Sequence, residues 1–415
     1  MRRIGVVGAG IVGVQLARML QIRGAHVTLF DNNEPGSQTS FGNAGYIATD
    51  EILPLAHSSI LKSLPSILFD PLGPVTFGWR HLWSLTPWFI RYLKACTGNN
   101  SLSGIETLAN LQRSARPAWQ EIIAREKVSE LMRKNGSFKI FETEEGFTRT
   151  KTERLLQRQY DIEWELVEGS KLRDQVPELT ANVKYAIYYP NGMHTVSPID
   201  LTEAIFRNFL KDGGSFVRAK VERIGLSGDG QPSLLTQDKK WALNNIVISA
   251  GYTSEALLKP LGLRVPLIAE RGYHVEMEHD ELSFEMPIGS YERGCYLTPM
   301  RSGLRVAGTS ELVPVKLEGT PHWPRAQILT EHAKKLLPGV FLSKIREWMG
   351  RRPTLPDFLP MLGPVPGKKG IFVACGHHHL GLTLSAVTAD IMSKSLLEKD
   401  FTAIPHALRA DRFNQ

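Results

Sequence analysis

The sequence predicts an α/β protein in which two domains interleave: a Rossmann-like domain assembled from separate segments, and an α+β domain built on an antiparallel sheet. Three observations predict it. A glycine-punctuated strand, turn and helix opens the chain. The same α/β pattern returns at 194–262 and again after 348. Between those returns, 263–347 changes to short alternating strands. The expected division is therefore 1–80, 194–262 and 348–415 for the first domain, with 81–193 and 263–347 forming the second.

The opening stretch, RRIGVVGAGIVGVQLARMLQIRGAHVTLFDNN, is read in order. Residues 4–7 form a short apolar run expected to be a buried parallel strand. Gly8, Ala9, Gly10, Ile11, Val12 and Gly13 make a G-x-G-x-x-G turn leading into helical spacing that stops at Gly24. Gly8 permits the tight turn, Gly10 lets backbone approach a pyrophosphate, and Gly13 lets helix and strand pack closely. The phosphate charge then meets free N–H groups at the helix start. A second β-rich run closes on Asp31 and Asn32; Asp31 follows Gly8 by 23 residues, where a carboxylate accepts from ribose hydroxyls. This predicts dinucleotide binding and does not separate NAD from FAD.

Next comes GSQTSFGNAGYIA, a loop of small and polar residues able to set backbone N–H groups against an anionic or heterocyclic ligand. Residues 69–93 carry seven aromatics: Phe69, Phe77, Trp79, Trp83, Trp88, Phe89 and Tyr92. Two readings stand for them, a helix packed at the domain junction and an interfacial element touching a membrane with its quinones. Residues 104–134 have amphipathic helical spacing. Ser197-Pro198 caps a helix that ends at Gly213-Gly214, SFVRAKVERIGL alternates as a strand, and NNIVISAGYTS is a β-branched run ending at Ala250-Gly251. In 263–347, VPLIAERGYHVEM and the segments around a Ser302-Gly303 turn read as antiparallel strands, and 326–347 as a helix.

The chain closes with GRRPTLPDFLPMLG, then GIFVACGHHHLGLT, which reads as strand, loop and helix start. Three consecutive histidines do not share a helix face, and no Asp or Glu lies in 371–388, so no metal site is expected. A helix start at Gly381, Leu382 and Thr383 offers N–H groups and partial positive charge to an electron-rich ring edge.

Bulk properties narrow the function classes. The 415 residues carry 49 basic and 42 acidic side chains, net +7, without a basic block, which speaks against nucleic-acid binding and leaves room for anionic partners. Cys96, Cys295 and Cys375 are isolated, as expected for a reducing compartment without disulfides. No signal peptide and no apolar run long enough to span a bilayer are read from the sequence, so a cytoplasmic location is expected, with peripheral contact on the inner face of the cytoplasmic membrane as an option.

At Thr39-Ser40-Phe41-Gly42-Asn43-Ala44-Gly45 the sequence resembles the D-amino-acid oxidase/dehydrogenase family of FAD proteins, with motifs closest to the bacterial D-amino-acid dehydrogenases. Ala250-Gly251, GRRPTLPDFLPMLG and Gly376-His377-His378-His379-Leu380-Gly381-Leu382-Thr383 match further signatures of the family. The resemblance implies FAD as cofactor, with Thr39, Ser40, Asn43, Ala44 and Gly45 along the flavin. Val221 would meet the adenine through its main chain, Ala250 and Gly251 would pass the cofactor, and Gly376, Leu380, Gly381, Leu382 and Thr383 would border the ring. It implies that Arg352 forks onto the substrate carboxylate, where lysine would not serve. The bland alternative is an Arg–Asp pair with, for instance, Asp357. Tyr273 and Tyr296 would roof the pocket or bond that carboxylate, or serve as plain core. One of the histidines, His379 among them, would face the flavin. The implied reaction is oxidative deamination of a D-amino acid, including cyclic amines such as D-proline or D-hydroxyproline. Hydride leaves Cα for flavin N5, giving an imino acid and then a 2-oxo acid. A quinone or other acceptor would take the electrons. A glycine/sarcosine oxidase-like amine oxidase and a subunit of a heteromeric flavoprotein dehydrogenase are the alternatives.

Overall fold

A computed structural model describes residues 2–62, 73–77, 81–280, 282–316 and 319–413. Its first sheet has the strand order Ser215–Arg218, His26–Asp31, Arg3–Val7, Asn245–Ile248, Ile371–Cys375, Met361–Pro364. The first five run parallel and the last is antiparallel. Arg3–Val7 sits inside this sheet and is apolar at nearly every position, as strands covered on both faces must be. One face carries Ile11–Ile22, Pro198–Lys211 and Gly381–Glu398. The other carries an antiparallel meander of Val221–Leu226, Pro232–Thr236 and Lys240–Ala242.

The second sheet is mostly antiparallel. Its long strand Ile268–His279 lies between Leu342–Thr354 and Gly303–Pro314. Pro324–Leu336 packs on one face, where Tyr273, Val275 and Met277 point. Glu270, Gly272 and His274 alternate onto the opposite face, toward the first domain.

Four features differ from the sequence expectation. The helix expected over 326–347 stops at Leu336, and Leu342–Thr354 is strand. Pro338-Gly339 breaks the helix, and pairing with Ile268–His279 supplies the backbone partners that helical spacing ignores. The alternating run 215–226 is two strands in two sheets, divided after Arg218. The expected boundary at 347/348 falls inside one strand, so Arg351 and Arg352 belong to the antiparallel sheet. Within 81–193, Gly98–Glu126 packs against the first domain rather than the second: Trp119 is buried there and its indole N–H donates to the Thr383 carbonyl at 3.0 Å.

Leu82–Ala95 is the helix expected from the aromatic segment; Phe69 and Trp79 lie outside the described residues. Trp88 and Tyr92 stack and pack on Phe358 at the junction. The helix of residues 378–398 has the length and composition to cross a bilayer, but it is the buried core helix between Ile11–Ile22 and Gly98–Glu126.

Candidate active site

A cavity of about 1590 Å³ runs between the two sheets. That exceeds the roughly 300–1,000 Å³ of drug-sized ligand sites and suits a dinucleotide plus a small substrate.

Its dinucleotide end is built by the first strand, turn and helix. Gly8 has φ +109°, and a Cβ there would fall 2.3 Å from the Ser249 carbonyl oxygen. A Cβ on Gly13 would fall 1.8 Å from the Gly8 carbonyl oxygen, so strand and helix touch only because both are glycine. Gly8, Gly10, Ile11 and Val12 line the cavity. Ala9 stands behind, where its N–H donates to Asp31 Oδ2 at 2.7 Å. Asp31 Oδ1 accepts from Asn33 N at 2.9 Å, so the carboxylate is fixed while it and Asn32 border the cavity. Val221, Ala250 and Gly251 complete this end.

The loop 39–45 is gripped by the antiparallel sheet. Arg305 donates to the Phe41 and Asn43 carbonyls at 2.8 and 2.7 Å while paired with Glu276 at 3.0 Å. His274 stacks on Trp348 and shares a hydrogen bond with the Gly42 carbonyl. Thr39 donates to the Arg351 carbonyl at 2.8 Å, and Ser40 Oγ accepts from Ile11 N at 3.0 Å. Thr39, Ser40, Asn43 and Ala44 line the cavity; Gly45 turns the backbone behind it, its N–H donating to Asn43 Oδ1 at 2.8 Å.

The C-terminal helix arrives from the other side. Leu380, Gly381, Leu382 and Thr383 line the cavity; Gly376, expected at the ring, lies outside that lining, turned at φ +81° against Leu355. Thr383 Oγ1 accepts from Ala48 N at 3.1 Å, tying the helix start to the loop chain. His377 shares a hydrogen bond with Thr388 at 2.9 Å, and burial pushes it down to about 3, so it is a neutral structural residue. His378, also buried, adopts φ +40° and contacts His379, their Nδ1 atoms 3.0 Å apart. Gly10, Gly251 and Gly381 thus border one cavity.

Arg352 enters from the antiparallel sheet. Its Nη1 donates to Glu270 Oε1 at 2.7 Å and to Ser310 Oγ at 3.0 Å. Glu270 accepts three hydrogen bonds, since Ser310 donates to the same oxygen and Thr354 to the other. Burial raises the Glu270 carboxyl, but the charge of Arg352, with His379 and the two hydroxyls, outweighs it and holds the group below the ordinary value. Gly272 makes room for the guanidinium, which lies 2.3 Å from where a Cβ would stand. Asp357 is not its partner; it pairs with Arg412 at 2.7 Å. The remaining edge of Arg352, Nη2 and Nε, has no hydrogen-bond partner among the described residues and opens on the cavity.

Tyr273 does not reach the cavity. Strand alternation turns it to the opposite face, where its hydroxyl donates to Glu311 at 3.1 Å and accepts from His322 N at 3.0 Å. Tyr296 does line the cavity and donates to Glu51 Oε1 at 2.8 Å; His379 Nε2 donates to Glu51 Oε2 at 3.1 Å. Glu51, Glu270, Ser310 and the pair Lys139–Glu153 are cavity residues that the sequence reading did not single out.

Comparisons with known proteins agree with this architecture. Residues 3–395 match the family described as DAO, FAD dependent oxidoreductase. A D-amino-acid oxidase of Bradyrhizobium diazoefficiens is 31% identical over 405 residues, covering 96% of both chains. A D-amino acid dehydrogenase of Paramagnetospirillum magneticum is 25% identical, covering 99% of each. Among solved structures, glycine oxidase from Geobacillus kaustophilus superposes with a TM-score of 0.75 at 20% identity, covering 98% of this chain and 97% of the other. L-amino acid deaminase from Proteus vulgaris gives 0.75 at 14%, covering 100% and 97%. A glycine turn no side chain can enter, a fixed acid at the second strand and three segments closing on one cavity fit FAD, and this chain belongs to the DAO family of FAD-dependent oxidoreductases.

Proposed function

We propose that the protein oxidatively deaminates D-amino acids, with cyclic amines such as D-proline and D-hydroxyproline in its range, and passes the electrons to a quinone or similar acceptor. The observation that carries the reading is the open edge of Arg352, a planar two-donor face turned to the cavity. Bound FAD supplies the two-electron acceptor. Arg352 orients the substrate carboxylate, and Glu270, Ser310 and Thr354 hold Arg352 in place. Fixing one end of the substrate fixes which Cα substituent faces the ring, and such orientation supplies much of the rate. The imino acid so formed is hydrolysed by water to a 2-oxo acid. The D configuration rests on the two relatives named for D-amino acids.

The test is anaerobic mixing of the holoenzyme with D-alanine, D-proline, D-hydroxyproline and their L forms, read by flavin absorbance. The D forms should bleach the flavin. Bleaching by L forms alone, or by none, contradicts the reading. Preference for glycine or sarcosine with rapid H2O2 release would make it an amine oxidase instead. Tight FAD with turnover only after a second chain is added would make it a subunit.

The acceptor side rests on Leu82–Ala95. Trp83 is 90% exposed, Ile90 61% and nearby Leu102 67%. Leu82–Ala95 carries Arg91 and Lys94 and no acid. Exposed apolar side chains on a helix whose only charges are cations suit an anionic bilayer. Replacing Trp83 and Ile90 together by serine should cut partition onto phosphatidylglycerol vesicles by about 30–100-fold, with soluble dye reduction unchanged. Equal sedimentation of both proteins with vesicles would remove the membrane contact.

A further inference from the structure

We propose that Glu51, coupled to His379, is the site that receives the substrate's amino group and takes its proton; this rests on the amino-acid reading above. An amino acid arrives as an ammonium ion, whose nitrogen has no lone pair to form an imine. One N–H bond must therefore break, with its electron pair left on nitrogen. The proton needs an acceptor inside the cavity, and the chain supplies one candidate of the right charge.

The carboxylates around the cavity separate by place and partner: Glu222, next to Val221, and Glu255, four residues after Gly251, belong with Asp31 to the dinucleotide end. Glu270 is neutralised by Arg352 at 2.7 Å and accepts from Ser310 and Thr354 as well. Glu153 is paired with Lys139 at 2.9 Å, and Asp31 is occupied by loop amides at the dinucleotide end. Glu51 differs. Each of its oxygens accepts one hydrogen bond, from Tyr296 and from His379, and a carboxylate has about four acceptor sites. Among the described residues no Arg or Lys pairs with it; its partner on that oxygen is the His379 ring nitrogen. Its side chain is 25% exposed, on the cavity. The backbone is fixed too, since Gln112 donates to its carbonyl at 3.0 Å.

Its state fits the role. Burial raises the Glu51 carboxyl, but hydrogen bonding and charge from His379, the Tyr296 hydroxyl and the charge of Lys139 bring it below the ordinary value. Tyr296 is held far above its usual value by burial and by the adjacent carboxylates, so it stays a neutral donor. Glu51 is therefore an anion waiting for a cation. The groups facing the pair are Asp50, pushed up to about 7 chiefly by burial and then by Glu51, together with Tyr46, Lys139, His378, Arg352 and Glu270. The proton released by the ammonium enters the Glu51–His379 hydrogen-bonded pair and raises its charge by one, leaving a neutral amine at Cα.

The probe pair is 2-methylalanine, which has no Cα–H and cannot be oxidised, and isobutyrate, the same molecule without the amine. Binding to holoenzyme is measured by calorimetry and flavin absorbance. The wild type should bind 2-methylalanine at least about ten-fold tighter than isobutyrate. Glu51→Gln, nearly isosteric, should erase that preference while isobutyrate changes by less than about three-fold. Glu51→Asp, which keeps the charge, should retain part of the preference, and serves if the Gln variant loses FAD. Calorimetry in buffers of different ionisation enthalpy should show proton release to buffer on 2-methylalanine binding in His379→Asn that the wild type does not show. A wild type without amine preference, or a Glu51→Gln variant that keeps it, overturns the proposal. In either case, if Arg352→Lys still weakens both ligands, the amino-acid reading stands; if Arg352→Lys leaves both unchanged, that reading fails as well.

Discussion

Replacing Arg352 by glutamine is expected to lower kcat/KM for the best D-amino acid by about 10²–10³-fold, because a desolvated, two-bond contact to the substrate carboxylate is lost. The same change leaves Glu270, whose side chain is 4% exposed, without its cation. Breaking a buried pair from one side costs about 3–5 kcal/mol. Ser310 and Thr354 still donate to Glu270, which places the loss toward the lower end of that range and the fall in Tm at about 3–4 °C for a chain of this length. Lysine separates the two roles. It keeps a charge for Glu270 but lacks the planar fork, so Arg352→Lys should nearly preserve Tm while KM rises about 30-fold or more. A lysine variant with wild-type KM would show that the carboxylate binds elsewhere. The sequence left Asp357 as a structural partner for this arginine; that aspartate is taken by Arg412, and the true partner lies 82 residues upstream at Glu270.

Gly13→Ala should have the second largest effect, and in a different way from Gly10→Ala. A methyl on Gly13 meets the Gly8 carbonyl oxygen at 1.8 Å and its carbon at 3.0 Å, and both are backbone atoms that cannot step aside. The first helix must then move off the first strand, lowering apoprotein stability by several kcal/mol and abolishing FAD retention. A methyl on Gly10 meets only the Ser40 hydroxyl, at 3.3 Å, so the apoprotein should keep its Tm within about 2 °C. FAD affinity should still fall at least about ten-fold, because that glycine is where backbone approaches the pyrophosphate. Apoprotein melting and FAD titration read the two effects separately. Full FAD affinity in Gly10→Ala would mean that the phosphates do not pass there.

Much of the first domain was legible because its constraints are local. The turn at Gly8, Gly10 and Gly13, the strand closed by Asp31 and the helix start at Gly381 each follow from neighbours within a few residues. What escaped depends on pairing between distant segments. Residues 342–354 carry helical spacing, yet become strand because Ile268–His279 offers them a partner. Tyr273 looked like a pocket residue by type; a register shift and strand alternation sent it to the far face. Glu51 sits six residues beyond Gly45 with only the adjacent Asp50 to mark it. Its meaning comes from Tyr296 and His379, 245 and 328 residues away. The adjacent acids Asp50 and Glu51, just beyond the glycine-rich loop, were the available signal; Asp50 is in fact buried, which an acid seldom is without a reason.

The most direct test is a crystal structure of the holoenzyme with 2-methylalanine bound. The expected result is an isoalloxazine ring bordered by Gly381–Glu398 at its N-terminus and by Thr39, Ser40 and Asn43, with the ligand carboxylate on Nη2 and Nε of Arg352 and its nitrogen toward Glu51. A ligand carboxylate bound away from Arg352, or a flavin ring outside the shared cavity of Gly10, Gly251 and Gly381, would contradict it.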